Sequence, residues 1–214
     1  MNMKIPQKYL QNRISNIRQD YATINKSIVD KLNPPNLYRF FCLSLYRNDY
    51  YKVRWRIKDL AKRTGEEETA LKKFNKDIEA VLVRKRYRED INHPLIEFTM
   101  RSLYCIPPID HPNFITLSYL FMKVNLDIKV KGYYIKLLLI AEDNKILLSS
   151  NKLADKLGMG KKNIESYNLD LYGAGLLKYL PKGIELTPKE LLLDNDIAKQ
   201  RKEWNPINSK TCLR

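Results

Sequence analysis

The chain has 214 residues and a formal net charge of +15, from 39 Lys and Arg against 24 Asp and Glu. This excess indicates a polyanionic partner, first nucleic acid and second a membrane surface. The longest apolar run, residues 137–141, is far shorter than the roughly 20 residues that span a bilayer, and the first residues lack the apolar core of a secretory signal. We therefore expect a soluble cytoplasmic protein with no membrane partner.

Sequence motifs for catalysis, cofactors and metal binding are missing. The chain has no P-loop, no Gly-rich dinucleotide turn and no Ser-centred elbow. Its three cysteines are widely spaced without a Cys-x-x-Cys pair, and its two histidines are isolated. We predict that the protein is not an enzyme, and that it needs neither a cofactor nor a metal ion.

The N-terminal segment, residues 1–33, is predicted to form a helix that Asn33-Pro34-Pro35 ends. The helix would form a homodimer with the same helix of a second chain or, equally well, pack along the domains of its own chain. Apolar residues recur in it at spacings of three and four, close to a heptad pattern: Leu10, Ile14, Ile17, Tyr21, Ile24, Ile28 and Leu32.

Residues 34–103 form the first predicted domain, which is centred on two short helices joined by a turn. Gly65 stands where the first of these helices would end in a left-handed residue. Leu71, Phe74 and Ile78 then recur at spacings of three and four, on one face of a second helix. Two helices about such a turn form a helix-turn-helix.

The segments around this pair extend the pattern. An apolar helical stretch, 37–45, and a strand-like piece, 51–55, precede it, and residues 81–83 and 95–98 would form a hairpin, or wing, after it. Pro107, Pro108 and Pro112 then mark a stiff linker, residues 104–113.

The second predicted domain, residues 114–187, repeats the first. Residues 150–158 match residues 57–65 at an offset of 93, and the same offset pairs Leu71 with Ile164, Phe74 with Tyr167 and Ile78 with Leu171. Helical residues 133–140, a strand-like piece at 145–148 and a hairpin of 176–179 with 184–186 complete the copy. The fold class is therefore mainly α with small β wings, and the chain would hold two tandem winged-helix domains. Such domains sometimes serve only packing or dimerisation, which stays an alternative for each copy.

The second copy resembles a known family of domains. Lys131-Gly132-Tyr133-Tyr134 opens its first helix, residues 153–159 read Leu-Ala-Asp-Lys-Leu-Gly-Met, and Ala174-Gly175-Leu176-Leu177 enters its wing. These residues resemble the winged-helix domain of plasmid and phage replication proteins and of some primosomal helicase loaders. The resemblance implies that the second helix of each motif lies in the major groove of DNA.

The two copies differ in the residues that would contact DNA. In the second copy, lysines and an amide stand at the start of the second helix, where the amide of Asn163 suits adenine. In the first copy, that start is acidic, Glu66-Glu67-Glu68, which we interpret as a complement to the helix dipole, and basic residues follow in the helix and the wing. The alternative for the wing is a strand edge protected by charge. The predicted DNA-binding residues are Thr69, Lys72, Lys73, Lys76, Arg84, Lys85, Arg86, Arg88, Gly160, Lys161, Lys162, Asn163, Ser166 and Lys182.

Both copies are basic, because residues 34–103 carry 16 Lys and Arg against 10 acidic residues and residues 114–187 carry 11 against 7. A last helix, residues 188–204, would dock on the second domain and leave a frayed tail to residue 214. Three functions fit: a plasmid or phage replication initiation protein that recognises origin repeats, a transcription regulator, and a protein-interaction module of a replication or helicase-loading complex.

Overall fold

The computed structural model describes residues 21–26, 29–45, 52–55, 57–78, 83–87, 95–99 and 114–192. This part of the chain is mainly helical, with three small antiparallel sheets. The first half contains β1 (Tyr21–Asn25), α1 (Pro34–Ser44), β2 (Lys52–Trp55), α2 (Ile57–Thr64), α3 (Glu68–Asp77), β3 (Val83–Tyr87) and β4 (Leu95–Thr99). The second half contains β5 (Phe114–Ser118), α4 (Ile128–Ile140), β6 (Lys145–Ile146), α5 (Ser150–Leu157), α6 (Lys161–Gly173), β7 (Leu177–Leu180) and β8 (Gly183–Leu186), with a 3-10 helix, Tyr119–Lys123, before α4.

The sequence offset of 93 residues is kept along both halves. Strands β1 and β5, helices α2 and α5, and helices α3 and α6 begin at positions separated by that offset. The sheets also share one strand order, β2-β4-β3 in the first half and β6-β8-β7 in the second. The prediction of two helices joined by a turn and followed by a hairpin is therefore confirmed in each half.

Equivalent residues of the two halves meet each other. Strands β1 and β5 pair antiparallel with Thr23 opposite Thr116, which are 93 positions apart. A second such pair joins the first helices, where the Nζ atom of Lys131 lies 3.5 Å from the hydroxyl oxygen of Tyr38. Only residues close to a two-fold axis contact their own counterparts. The halves therefore pack around an approximate two-fold axis.

Local sequence explains where the helices begin and end. The side chain of Asn33 accepts a hydrogen bond from the backbone N–H of Asn36, and Pro34 and Pro35 occupy the first helical positions of α1. Gly65 and Gly158 have φ values of +72° and +61°, as the predicted left-handed helix ends require. The expectation that Asn33-Pro34-Pro35 ends a helix is wrong, because these residues cap the start of one.

The two halves share a core along α1 and α4. The rings of Phe41 on α1 and Phe121 on the 3-10 helix pack edge to face with centroids 5.6 Å apart, and the Phe121 and Tyr134 rings pack at a tilt with centroids 5.8 Å apart. Helix α4 comes so close to α1 at Gly132 that a Cβ atom on Gly132 would lie 1.6 Å from the carbonyl oxygen of Pro34. Only glycine fits this crossing, and buried residues form one cluster through both halves.

The predicted N-terminal helix is wrong over residues 21–26 and 29–33. Residues 21–25 form strand β1, whose alternate residues Ala22 and Ile24 are buried. Pairing with β5 favours that extended form, because the backbone groups along one edge of β1 then form hydrogen bonds with β5 while alternate side chains face the core. Leu10, Ile14, Ile17 and Ile28, and with them most of the predicted dimer seam, lie outside the described residues.

The predicted C-terminal helix does not form in its described part. A short 3-10 helix, Lys189–Leu191, is followed by Leu192 in an extended conformation, and Leu192 forms a bridge with Leu117 of β5. Leu192 therefore contributes a β-bridge and not part of a helix face. Residues 193–214 and the predicted linker, residues 104–113, lie outside the described residues.

Candidate nucleic-acid interface

Helix α6 turns one face to the core and presents the other to solvent. Ile164, Asn168 and Leu171 are buried, while the predicted contact residues Lys161, Lys162, Asn163 and Ser166 are all exposed. The hydroxyl of Tyr133 on α4 donates a hydrogen bond of 2.9 Å to the Asn168 side chain and fixes the helix in place. Tyr167 is half-buried, 5.5 Å from the Tyr133 ring, so it belongs to the core side as predicted.

The start of α6 combines positive charge with uncapped backbone groups. Gly160 is the N-cap and has no side chain that could cap the first turn, where the N–H of Asn163 bonds to the Gly160 carbonyl oxygen at 3.0 Å. Such N–H groups, at the positive end of the helix dipole, favour an anion. Lys161 forms an exposed ion pair with Glu165, with Nζ and Oε1 3.6 Å apart. A pair this exposed is weak, and a phosphate can replace the carboxylate.

Helix α3 of the first half presents its basic residues farther along. Leu71 and Phe74 face the core, whereas Thr69, Lys72, Lys73 and Lys76 are exposed. Lys73 and Lys76 lie three residues apart, on the side of the helix away from Phe74. The predicted basic stripe is therefore a surface feature, and it lies in the middle and at the end of the helix.

The acidic start of α3 is partly neutralised by a residue that sequence reasoning missed. The guanidinium of Arg39 on α1 binds both carboxylate oxygens of Glu66. Its Nε donates a hydrogen bond of 3.0 Å to Oε2, and its Nη2 donates one to Oε1. The two side chains are only 10% and 12% exposed. Glu66 is thus a structural partner and neither a surface acid nor a complement to the helix dipole, which leaves that role to Glu67 and Glu68.

The same arginine belongs to a polar chain that braces α3 against α1. Its Nη1 donates at 2.6 Å to the Asn36 side chain, and the Asn36 amide nitrogen donates at 2.8 Å to Asp77 at the end of α3. The positions 93 residues after Asn36 and Arg39 hold Lys129 and Gly132, so the second half lacks this chain. The local spacing of residues in the sequence does not predict this hydrogen-bond network, because its members lie on different helices.

The hairpins supply the remaining predicted residues. Arg84, Lys85 and Arg86 lie in β3, which pairs with β4 in the register Lys85 opposite Glu97, and Arg88 lies outside the described residues. In the second half, Pro181 and Lys182 form the hairpin turn, and Lys182 is exposed at its tip.

An exposed apolar surface on the second half also escaped the sequence prediction. The rings of Tyr172 on α6 and Tyr179 on β7 lie 5.6 Å apart, and Leu169 stands one turn before Tyr172. The sequence did contain evidence for it, because the helical spacing that places Ile164, Asn168 and Leu171 on the buried face leaves Leu169 on the exposed face. We call these three residues, Leu169, Tyr172 and Tyr179, the apolar surface.

Comparison of the chain with protein-family models, curated proteins and solved structures finds no match. Within the part of the chain that the structure describes, no helix combines the length and the apolar character that crossing a membrane requires.

Proposed function

We propose that each half of the chain is a winged-helix domain and that the protein binds double-stranded DNA through both. Support comes first from the order of elements, a helix, a strand, two helices about a glycine turn and a hairpin, which are the parts of a winged helix. The observation that carries the proposal is the start of α6, where Lys161, Lys162 and Asn163 are exposed together beside uncapped N–H groups.

In this function α6 lies in the major groove. Lys161 and Lys162 bind phosphate or guanine, and Asn163 pairs with adenine through its amide. Lys182 at the tip of the second hairpin reaches the neighbouring backbone. Helix α3 uses Lys72, Lys73 and Lys76 instead, so the first half contributes phosphate contacts from the middle of its helix.

The approximate two-fold relation between the halves supports a particular form of the DNA site within this proposal. Where α3 and α6 both bind one duplex, they would read it in opposite directions. One chain would then read two inverted half-sites, which a symmetric dimer otherwise reads with two chains.

We further propose that the process served is replication initiation of the plasmid or phage type, with origin repeats that each bind one chain. Two tandem copies in one chain support this role, together with the resemblance of the second copy to replication proteins. The alternatives are a transcription regulator, which would prefer a single site at a promoter, and an interaction module, which would not bind duplex.

The test is a titration of the full chain with a pool of random duplexes over a range of salt concentrations. We compare the parent with a variant carrying Lys161→Ala and Lys162→Ala, and with a control carrying Lys31→Ala and Lys129→Ala, two lysines that are also exposed. Each lost phosphate contact lowers the slope of log K against log salt by about 0.9. We expect a slope smaller by about 1.8 in the first variant and no change in the control.

Selection from the same pool then identifies the preferred duplex, and Asn163→Ala should relax the preference at one position. Absence of duplex binding by the parent at low salt would overturn the DNA-binding function. Equal salt slopes for the first variant and the control would remove α6 from the interface.

A further inference from the structure

Four large apolar side chains of the second half are exposed. They are Leu147, Leu169, Tyr172 and Tyr179, which are between 51% and 67% exposed. Leu147 follows β6, at the opposite edge of the sheet from β7, so it stands apart from the apolar surface. The other three lie together on α6 and the neighbouring edge strand.

Leu169 continues the stripe of α6 that carries the proposed DNA contacts. At about 100° per residue, Leu169 lies roughly 20° around the helix from Lys162, two turns earlier, and roughly 140° from the buried Ile164. The rise along the helix between Lys162 and Leu169 is about 10 Å, the length of about three base pairs. Leu169 therefore faces the same groove as Lys162.

Two of the three equivalent positions in the first half hold basic residues, and the third, 93 residues before Tyr172, holds Glu79. Lys76 stands 93 residues before Leu169, and Arg86 stands 93 residues before Tyr179. Lys76 is exposed, as Leu169 is. At this one position the two halves therefore present different chemistry: a cation that suits phosphate in the first, and an apolar group that does not in the second.

The apolar surface is small and has charges of both signs near it. Lys162 lies two turns before Leu169 on α6, Lys178 precedes Tyr179 on β7, and the Glu165 carboxylate is close enough to raise the pKa of Tyr179. Three side chains form far too small a patch for a stable protein interface, which needs about 20 residues a side. The apolar group that base edges expose in the major groove of DNA is the 5-methyl group of thymine, which an apolar side chain can contact.

We propose that Leu169 contacts the 5-methyl group of a thymine in the half-site read by the second half, with Tyr172 and Tyr179 against the adjoining backbone. This assignment rests on the proposed DNA-binding function. The hydroxyl of Tyr179, like that of any tyrosine, is protonated at neutral pH and would donate to a phosphate oxygen. Leu169 is thus a specificity-determining residue whose counterpart in the first half is the cationic Lys76.

The test uses deoxyuridine, which differs from thymidine only by lacking the 5-methyl group. Each thymine of the selected duplex is replaced in turn, and the affinity of the full chain is measured. We expect one replacement to weaken duplex binding by the parent about fourfold, the ratio that one buried methyl group gives. The same replacement should not change the affinity of Leu169→Ala for the duplex. Leu147→Ala, the matched control, should keep the fourfold discrimination.

Two results separate this inference from the proposed function. If the parent binds duplex but no replacement weakens binding, or if Leu169→Ala still discriminates, the thymine contact is wrong and DNA binding stands. If the parent binds no duplex, both fail. Sedimentation of the parent and of Leu169→Ala tests whether a second copy of the chain binds the apolar surface instead. If Leu169→Ala no longer self-associates but still distinguishes thymidine from deoxyuridine, the apolar surface is an interface between copies and the thymine contact is wrong.

Discussion

Lys131 and Tyr38 are equivalent residues of the two halves, and the Nζ atom of Lys131 lies 5.1 Å from the centre of the Tyr38 ring. The same Nζ donates a hydrogen bond of 3.0 Å to the carbonyl oxygen of Met122, while Lys136 donates one of 2.6 Å to the carbonyl oxygen of Val29. Met122 and Val29 are again 93 residues apart. Two buried lysines of α4 thus bind equivalent segments of the two halves. A substitution that disturbs the packing of α4 against α1 should therefore destabilise both halves.

The first prediction concerns Gly132, where α4 crosses α1. Gly132→Ala should lower the free energy of unfolding by about 1–3 kcal/mol, because its methyl group would overlap the carbonyl oxygen of Pro34. Urea denaturation measures the loss, and amide exchange should show weaker protection in both halves. Gly173→Ala, at a helical glycine with open space around it, is the control and should be neutral or stabilising by up to about 1 kcal/mol. Equal stability of the two variants would contradict the close crossing.

The second prediction concerns the buried ion pair of Arg39 and Glu66. Arg39→Met should destabilise the protein by about 2–4 kcal/mol, because it leaves the Glu66 carboxylate buried without its partner. Adding Glu66→Gln should recover part of that loss, and a double-mutant cycle should give a coupling energy above about 1 kcal/mol. Glu165→Gln, in the exposed pair with Lys161, should cost below about 0.5 kcal/mol. Strictly additive effects of the first two substitutions would contradict the pairing.

The third prediction uses the buried thiol of Cys42, which lies beside Tyr38. Burial raises the pKa of Cys42 from 9.0 to about 12. The unfolded chain therefore releases this proton first, and the stability that the thiol contributes is complete below about pH 9 and is lost as pH rises toward about 12.

The check is urea denaturation of the parent and Cys42→Ala at neutral pH and at about pH 10.5. Between these conditions, the parent should lose roughly 2 kcal/mol more than the variant, since each pH unit above the unfolded pKa costs about 1.4 kcal/mol. Other titrating groups act alike in both proteins, so only the difference is read. Parallel pH profiles would show that the thiol titrates normally.

The fourth prediction tests the first half as a DNA contact. Lys73→Ala and Lys76→Ala together should lower the salt slope of duplex binding by about 1.8 and leave sequence preference unchanged, because phosphate contacts carry no base information. Titration of the selected duplex and of a scrambled one over salt measures both quantities. Lys31→Ala with Lys129→Ala serves again as control. An unchanged slope would restrict DNA contact to the second half.

A large part of the architecture could be predicted from local sequence. Periodicity placed Leu71, Phe74, Ile164 and Leu171 on inward helix faces, and Gly65 and Gly158 at left-handed helix ends, because these properties depend on neighbours three or four residues away. The exposure of Lys161, Lys162 and Asn163 followed from the same spacing. The internal offset of 93 residues then gave the order of elements in both halves.

Contacts between residues distant in sequence were decided by the tertiary structure alone. Tyr21 and Ile24 fit a helical spacing, yet pairing with β5 makes them part of a strand, since backbone groups there are satisfied by a segment some 93 residues away. Likewise Glu66 gains its partner from another helix, and Gly132 is required by a crossing that no local pattern records. The sequence by itself thus determined the two copies and their basic faces, while packing decided how the halves join and which charges stay free.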